Sequence, residues 1–288
     1  MISDYRCFFC FARAFEKLLE KENLSIEAKN FFTRDMAALY NNLGDNFSAP
    51  AFSRGLHTIL KQYTNNPDPY KEAKRISNDM VLNMYPNLKN QIKLSDDPFN
   101  TALRLAIAGN IIDFAVSNNF NLQATIDKAL SIDFAIDHSN ELKQAILKAS
   151  TVLYLGDNAG EIVFDKLFIE NIKHGNLYYS VRGAPIINDA TMDDAKYIGM
   201  DEVAKIISNG YDAPSTILEQ CSPEFKDLFQ KADLIISKGQ GNLEGLMDKT
   251  AKEIYYLLMV KCNVIADFLS VPINSFVVYN PQLIHTKI

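Results

Sequence analysis

The spacing of apolar residues divides the chain near Ser150. Before this point, apolar positions recur at intervals of three and four residues, which is the pattern of amphipathic helices, and glycine is rare. Residues 1–150 are therefore expected to form an all-helical subdomain. The predicted helices are Tyr5–Lys21, Ser25–Tyr40, Ala51–Tyr63, Pro69–Tyr85 and Pro98–Asn110, followed by further helices up to Lys148.

After Thr151, short apolar runs alternate with helical stretches. Such alternation is typical of a mainly parallel sheet with helices on both faces. We therefore expect residues 151–288 to form a doubly wound, Rossmann-like α/β domain. Because no stretch rich in proline or glycine separates the halves, the helical part is expected to pack on the sheet and roof its crevice. The predicted strands are Val152–Leu155, Leu177–Val181, Ala204–Ser208, Leu234–Ser237, Ile254–Met259 and Ser275–Tyr279.

Each of the first two predicted strands leads into a cluster of polar residues at its carboxyl end. Asp157 and Asn158 come after the first strand, and Asp189 comes after the second. Because ligands bind outside the carboxyl ends of strands in open α/β sheets, these three side chains are expected to face one crevice. Carboxylate and amide oxygens suit hard divalent cations such as Mg²⁺ or Mn²⁺, so a phosphate-handling metal site is the leading hypothesis. The alternative is a turn at Asp157 and a helix N-cap at Asn188 or Asp189.

A glycine-rich loop follows the predicted strand Leu234–Ser237. Its sequence is Lys238-Gly-Gln-Gly-Asn242, and a loop of this kind before a helix exposes backbone N–H groups that can hold phosphate oxygens. Lys238 adds a positive charge, whereas a plain tight turn is the alternative interpretation. The spacing is not that of a Walker A loop, so a P-loop ATPase is not predicted. The loop Gly156–Gly160 likewise lacks the Gly-x-Gly-x-x-Gly dinucleotide fingerprint.

Composition and charge narrow the range of partners. The 288 residues carry a net charge of −6, with no block of lysine and arginine, which argues against a nucleic-acid surface. The chain lacks an apolar run long enough to cross a bilayer, and its beginning lacks the pattern of a cleaved export signal. A cytoplasmic protein without a membrane partner is therefore expected. Its four cysteines are expected to be reduced thiols.

Five ordered motifs carry a family resemblance: Asp68–Lys71, Gly109–Phe114, Asp157–Glu161, Arg182–Thr191 and Ser237–Glu244. Together they resemble the damage-control phosphatase family, also called the domain-of-unknown-function 89 group. The pair Cys7 and Cys10 is similar to a feature of its prokaryotic branch. The resemblance implies a metal-dependent phosphatase that hydrolyses small phosphometabolites, such as sugar phosphates, in metabolite damage control. It also implies a divalent cofactor, namely Mg, Mn, Co or Ni.

The resemblance completes the expected site. Asn110 and Asp113 lie three residues apart in an apolar helix and point together toward solvent or toward a polar cleft, and the resemblance favours the cleft. Lys261 falls where the related phosphatases place a phosphate-contacting lysine, although the Arg-Thr-x-Lys motif of the eukaryotic relatives is reduced here to that lysine. The expected metal ligands are Asp157, Asn158 and Asp189. The expected catalytic residues are Asp157 and Glu161. The expected substrate contacts are Arg182, Lys238, Gly239, Asn242, Lys261, Asn110 and Asp113.

Charge indicates how such a site would act. A phosphate ester repels an anionic nucleophile, so the site must offset the charge of the transferring group and align the attacking oxygen. A metal-activated water is the hypothesised nucleophile, with Glu161 as its base or its orienting group, and an aspartyl-phosphate on Asp157 is the competing route. Two other functions stay open: an S-adenosylmethionine-dependent carboxyl methyltransferase, an activity also associated with part of the family, and a non-catalytic metabolite-binding module. No oligomeric state is predicted.

Overall fold

The fold is built on a seven-stranded sheet. It is seen in a computed structural model that describes residues 4–44, 47–110, 122–247 and 249–286. The strands lie in the order β1-β7-β6-β5-β2-β3-β4 across the sheet. Their bounds are β1 (Phe134–Asp137), β2 (Val152–Leu155), β3 (Leu177–Val181), β4 (Lys205–Ser208), β5 (Leu234–Lys238), β6 (Ile254–Met259) and β7 (Phe276–Tyr279).

Most of the sheet is parallel. The five neighbouring strands from β4 through β3, β2 and β5 to β6 run in one direction. β7 pairs antiparallel with β6, and β1 pairs parallel with β7 at the edge. This arrangement confirms the predicted doubly wound, mainly parallel sheet. The chain leaves β2 toward β3 on one side and leaves β5 toward β6 on the other, so the crevice between β2 and β5 is the switch point where ligands bind in such sheets.

Alternate residues of the central strands face opposite cores, as the two-residue period of a strand requires. On β2, Val152 and Tyr154 lie in the core on one face of the sheet. Leu153 and Leu155 lie in the core on the other face. Both faces are covered by helices, and this explains why the central strands have continuous apolar sequences.

The first three helices form a small core of their own. Polar side chains mark where two of them begin: Asp4 accepts a hydrogen bond from the Arg6 N–H, and Ser25 accepts one from the Ala28 N–H. Aromatic rings fill the space between the helices. The helices are α1 (Tyr5–Lys21), α2 (Ile26–Leu43) and α3 (Ala49–Thr64), and their core includes Phe15, Phe32 and Phe52.

The helices between residues 71 and 148 pack on the sheet. Val81 and Leu105 lie in the same core as Tyr154 of β2. This segment therefore belongs with the sheet rather than with the first three helices. Its helices are α4 (Lys71–Leu82), α5 (Tyr85–Leu94), α6 (Pro98–Ala108), α7 (Leu122–Ser131) and α8 (Ser139–Lys148).

Strand β1 corrects the prediction of helices alone up to Lys148. It has four residues, which alternate between half-buried and exposed positions. It pairs with one neighbouring strand at the edge of the sheet. An edge strand needs less apolar sequence than a central one, so β1 lacks the apolar run by which the central strands are recognised.

Five further helices complete the part of the fold that the structure describes. In the described ranges, no helix combines the length and the apolar character needed to cross a membrane. The helices are α9 (Glu161–Ile172), α10 (Met192–Tyr197), α11 (Pro223–Lys231), α12 (Gly239–Leu246) and α13 (Asn263–Leu269), and short 3₁₀ helices lie at Met200–Glu202, Leu218–Gln220 and Pro281–Thr286.

Candidate active site

Backbone hydrogen bonds tie the loop after β2 to the loop after β3. The N–H of Ala190 donates to the carbonyl oxygen of Asp157 at 2.8 Å. Asn158 and Asp189 pair as an isolated antiparallel β-bridge. The structure therefore places the three residues expected to bind a metal beside one another, at the carboxyl end of β2.

Arg182, directly after β3, joins the two carboxylates. Its buried side chain places Nε 2.6 Å from Asp189 Oδ1 and Nη2 3.4 Å from Asp157 Oδ1. Its Nη1 donates to Asn242 Oδ1 at 3.2 Å and to Thr216 Oγ1 at 3.4 Å. Asp157 and Asp189 thus form ion pairs with the same arginine. The expected contact between Arg182 and a substrate phosphate would have to compete with these partners.

Two amide groups clamp Asp157 and Glu161 together. Asn110 Nδ2 donates to Asp157 Oδ2 at 3.2 Å and to Glu161 Oε2 at 2.9 Å. Asn158 Nδ2 donates to the same two oxygens, in both cases at 3.1 Å. The buried oxygen Oδ1 of Asn110 has no hydrogen-bond partner among the described residues. Asn110 therefore lies in the same cluster as Asp157, whereas Asp113 falls outside the described residues.

Lys238, the last residue of β5, lies deeper than a phosphate-binding residue is expected to lie. It is fully buried. Its ammonium donates to the carbonyl oxygen of Ala106 at 2.7 Å, to Glu161 Oε1 at 2.7 Å and to Asp165 Oδ1 at 2.6 Å. Because an ammonium has three hydrogens, a direct contact with phosphate would require the loss of one of these bonds. Burial alone lowers the pKa of Lys238, but Asp165 and Glu161 together raise it to about 12.

Asp165 is a member of the cluster that sequence reasoning missed. The hydroxyls of Tyr154 and Tyr179 each donate to its carboxylate at 2.8 Å. A signal for it exists in the sequence: a charged residue follows Glu161 by four positions in a helix whose other early residues are mostly apolar. Residues four apart share one face of a helix, so Asp165 would follow Glu161 into the interior.

The glycine-rich loop has structural roles that are separate from the phosphate-binding role expected of it. Gly239 has a φ of +78°, and a Cβ at this position would lie 1.9 Å from Asp157 Oδ2. Asn242 Nδ2 donates to the carbonyl oxygens of Gly156 at 3.2 Å and Lys238 at 2.8 Å. These contacts hold the start of α12 against the ends of β2 and β5.

Lys261 lies two residues beyond β6 and is half-buried. Its backbone N–H donates to Gln240 Oε1 at 3.2 Å, which links it to the first turn of α12. Its charge also acts on Asp157. The structure therefore places Lys261 near the cluster, on a side chain that is less enclosed than Lys238.

Acidic side chains outnumber basic ones among the fully or nearly fully buried members of the cluster. Four carboxyl groups face two cations, which leaves a surplus of two negative charges when all are ionised. Burial, followed by repulsion from Glu161 and Asp189, raises the pKa of Asp157 well above its usual range. Arg182 and Lys261 oppose this shift. The buried members are Asp157, Glu161, Asp165 and Asp189, with Arg182 and Lys238.

This surplus bears on whether the site fits a cation. The described residues contain no group of three or more His, Cys, Asp and Glu side chains arranged to hold a metal ion. Two carboxylates, those of Asp157 and Asp189, converge on Arg182, and the backbone bridge brings Asn158 beside them with its NH₂ group on Asp157 Oδ2. Uncompensated buried charge is costly, and a divalent cation would offset a surplus of two. The charge balance and the oxygen donors therefore fit a hard divalent ion that keeps several of its waters.

A cavity of about 620 Å³, lined mainly by residues with charged or amide groups, lies next to the cluster, between α4 and the segment after Asp189. Asn78 of α4 lines it and accepts a hydrogen bond from the Gly160 N–H at 2.6 Å. Lys74 also lines it and pairs with Asp68 at 3.1 Å and with Asp194 at 3.3 Å. The cavity has room for a small polar molecule, and its wall reaches the start of α9.

The fold and the site together define a class of protein. It is a doubly wound α/β protein with a cluster of ionisable side chains at the switch point of its sheet. The family model of the damage-control phosphatase ARMT1-like domain matches residues 3–276, and the chain belongs to this family.

Individual relatives agree with this membership. A damage-control phosphatase of Pyrococcus horikoshii is 34% identical over 279 residues, which are 95% of this chain and 96% of that protein. A damage-control phosphatase of Archaeoglobus fulgidus is 32% identical over 261 residues, 89% of this chain and 86% of that protein. An uncharacterized protein of Methanocaldococcus jannaschii is 40% identical over 230 residues, 76% of each chain.

A solved structure agrees with the fold. The crystal structure of a DUF89 family protein from Pyrococcus horikoshii matches with a TM-score of 0.88 at 33% identity, covering 97% of this chain and 99% of that one. The comparisons confirm the family that the motifs resemble, and they support a phosphatase enzyme with a role in damage control.

Proposed function

We propose that the protein is a metal-dependent phosphatase that hydrolyses small phosphomonoesters, such as sugar phosphates, in metabolite damage control. The observation that carries this proposal is the buried surplus of acidic side chains around Asp157, next to Arg182 and at the switch point of the sheet. The relatives that are named damage-control phosphatases support the reaction class.

Asp157, Asn158 and Asp189 are the proposed ligands of the cation, which we take to be Mg²⁺, Mn²⁺, Co²⁺ or Ni²⁺. Their oxygen donors and the surplus of negative charge favour a hard divalent ion over a monovalent one. When bound, such an ion would offset charge on the phosphoryl oxygens and lower the pKa of a water molecule.

The side chains of the protein orient the reacting groups. Arg182 fixes Asp157 and Asp189 before substrate arrives, so little reorganisation is needed during the reaction. Lys261 is the proposed cationic contact for phosphate oxygens, since its charge already acts on Asp157. Asn110 Oδ1, which lacks a donor among the described residues, is proposed to accept a hydrogen bond from the substrate or from the attacking water.

Water is the proposed nucleophile. Its oxygen forms the new bond to phosphorus while the bond to the ester oxygen breaks. The water gives up one proton and the leaving ester oxygen gains one, so the products are inorganic phosphate and an alcohol. Glu161 is assigned an orienting role, because its two oxygens already accept bonds from Lys238, Asn110 and Asn158. An aspartyl-phosphate on Asp157 is the competing route, and rapid quench with labelled substrate separates the two.

The proposal is tested by phosphate release from a panel of sugar phosphates, nucleotides and p-nitrophenyl phosphate. Each compound is assayed with Mg²⁺, Mn²⁺, Co²⁺, Ni²⁺ or EDTA. Release should require a divalent ion. Asp189→Ala should lower it by about 100-fold or more, the loss seen when a preorganised electrostatic contact is removed.

Asp201→Ala is the matched control for Asp189→Ala, because Asp201 is an exposed carboxylate that should not affect turnover. A fully active Asp189→Ala protein, or release that is unchanged in EDTA, would contradict the proposal. Calorimetry with S-adenosylmethionine tests the alternative methyltransferase activity.

A further inference from the structure

A second layer of charged side chains lies beneath the candidate site. We propose that Asp165, its innermost member, is a positioning residue: through Lys238 it holds Glu161 as an oriented carboxylate, which fixes the amide groups of Asn110 and Asn158. The inference rests on the proposed function, because Asn158 is one of the proposed cation ligands.

The first step is the fixation of Asp165. Its side chain is fully buried. Tyr154 and Tyr179 donate their hydroxyls to opposite oxygens of the carboxylate at 2.8 Å, and Lys238 donates to Oδ1 at 2.6 Å. Three donors of this kind replace the lost water shell of a buried anion. The two tyrosines stand on the adjacent strands β2 and β3, so the sheet itself sets the position of Asp165.

The second step is the orientation of Lys238. One hydrogen of its ammonium is directed at the carbonyl oxygen of Ala106 in α6, and a second is directed at Asp165. Because the three hydrogens of an ammonium have fixed mutual angles, these two bonds direct the third at Glu161 Oε1, at 2.7 Å. Removal of the Asp165 charge would leave Glu161 as the only carboxylate bound to the ammonium among the described residues.

The third step is the orientation of two amide groups in the candidate site by Glu161. Glu161 Oε2 accepts from the NH₂ groups of Asn110 and Asn158, and both groups also donate to Asp157 Oδ2. Because the oxygens of both carboxylates accept hydrogen bonds, each amide turns its NH₂ end toward them. If Glu161 moved or changed its charge, both amides could rotate and Asn158 would present its oxygen less reliably.

A purely structural reading of Asp165 makes a different prediction. On that reading Asp165 only compensates for the burial of Lys238, and its loss would destabilise the protein regardless of Glu161. Buried ion pairs are weak evidence for stability, because apolar replacements of similar size are often equally stable. The two readings therefore differ in whether the effects of Asp165 and Glu161 depend on each other.

A double-mutant cycle measures this dependence. Asp165→Asn, Glu161→Gln and the double variant are compared by calorimetric titration with Mn²⁺ and by kcat and KM for p-nitrophenyl phosphate. Asp165→Asn should weaken Mn²⁺ binding by about 10- to 100-fold, the range for residues that orient metal ligands. In the Glu161→Gln background the same change should alter binding by less than about twofold, because the path to Asn158 is already broken. Effects that simply multiply would overturn the inference.

Two further variants keep the test decisive. Glu202→Gln breaks another ion pair of α9, the 2.8 Å contact with Lys166, and should bind Mn²⁺ like the wild type. Tyr179→Phe removes one donor to Asp165 without a change of charge, and it takes the place of Asp165→Asn if that variant does not fold. It should weaken Mn²⁺ binding severalfold, and this effect should also disappear in the Glu161→Gln background. Wild-type affinity in folded Tyr179→Phe protein would overturn the inference.

The proposed function and this inference fail in different ways. A wild-type protein that neither binds Mn²⁺ nor releases phosphate would overturn the proposed function and this inference with it. A wild-type protein that does both, combined with independent effects of Asp165 and Glu161, would overturn the inference alone.

Discussion

Gly239 shows how closely the backbone approaches the candidate site. Its φ of +78° lies in the region that favours glycine, and a Cβ would overlap the carboxylate of Asp157, 1.9 Å away from Oδ2. The lack of a side chain at Gly239 therefore allows the start of α12 to lie close to the end of β2. This reason is separate from the phosphate-binding role that its motif suggests.

Gly239→Ala should lower both stability and phosphate release. The positive φ alone costs about 1–2 kcal/mol for an L-residue, and the new methyl group must also displace Asp157. Urea unfolding and phosphate assays measure the two effects. Gly175→Ala is the matched control, since no atom lies within 4 Å of a Cβ there and its φ is not positive. Wild-type stability in Gly239→Ala protein would show that the loop shifts without cost.

The sequence predicts which residues of the candidate site lie together, but it does not predict how deeply each of them is buried. Asp157, Asn158 and Asp189 follow parallel strands, and the carboxyl ends of such strands meet at one edge. Lys238 is the last residue of a strand in the same sheet, yet its ammonium turns inward to Glu161 and Asp165. The direction in which a long side chain turns depends on tertiary partners, and one of these is the carbonyl oxygen of Ala106 on a distant helix.

At the scale of elements, α4 supports the start of α9. Gly160 has a φ of +80°, and its N–H donates to Asn78 Oδ1 of α4 at 2.6 Å. The first residues of α9 are buried, so this N–H has little access to water. A helix N-terminus leaves several N–H groups without partners inside the helix, and Asn78 supplies a partner just before the first turn.

Asn78→Ala should destabilise the protein by about 1–3 kcal/mol, the cost of leaving a buried polar group unsatisfied. Activity should fall as well, because α9 carries Glu161 in its first turn. Asn83→Ala, at the exposed C-cap of the same helix, should leave both properties near their wild-type values. Equal urea midpoints for the Asn78 and Asn83 variants would contradict the assigned support.

Element prediction succeeded where burial imposes a pattern. The central strands are buried on both faces, so their apolar runs identify them within one residue of the observed ends. β1 was not predicted, because it is a strand of four residues at the edge of the sheet and half of its positions are exposed. The partner on which a helix packs could not be predicted in this way, because amphipathic helices have the same periodicity whether they pack on helices or on a sheet.

At the scale of the whole molecule, the first three helices are tied to the strand ends. Lys61 of α3 donates to the carbonyl oxygen of Pro185 at 2.5 Å, in the loop after β3. Arg54 of the same helix pairs with Asp212 at 2.6 Å, in the loop after β4. These contacts explain how a helical unit with its own core is held beside the carboxyl edge of the sheet.

Charge couples cation binding to the stability of the whole fold. Burial, with repulsion from Glu161 and Asp189, raises the pKa of Asp157 above its value in the unfolded chain. Folding therefore favours the protonated carboxyl. The resulting stability is fully present below the unfolded pKa of about 4 and is lost as the pH rises through the folded pKa. Above the folded pKa, the ionised Asp157 destabilises the metal-free protein, and a divalent cation would relieve this cost.

Asp157→Asn should therefore raise the thermal midpoint of the metal-free protein at pH 7 and abolish its rise on addition of Mn²⁺. The amide can keep its oxygen toward the NH₂ groups of Asn110 and Asn158, which leaves its own NH₂ facing Arg182. Because both of these groups are donors, the bond from Arg182 is lost, but it is already long at 3.4 Å and Arg182 keeps its 2.6 Å bond to Asp189. The wild type should gain about 2.7 kcal/mol when Mn²⁺ is present at 100 times its Kd.

Thermal unfolding in EDTA and in MnCl₂ measures both parts of this prediction, with Asp201→Asn as the exposed control. The control should match the wild type in each buffer, because Asp201 lies outside the buried cluster. If Asp157→Asn lowered the midpoint in EDTA and still responded to Mn²⁺, Arg182 and Lys238 would already balance the buried carboxylates. The surplus of negative charge would then give no reason for a divalent ion, and the metal assignment would lose its physical basis.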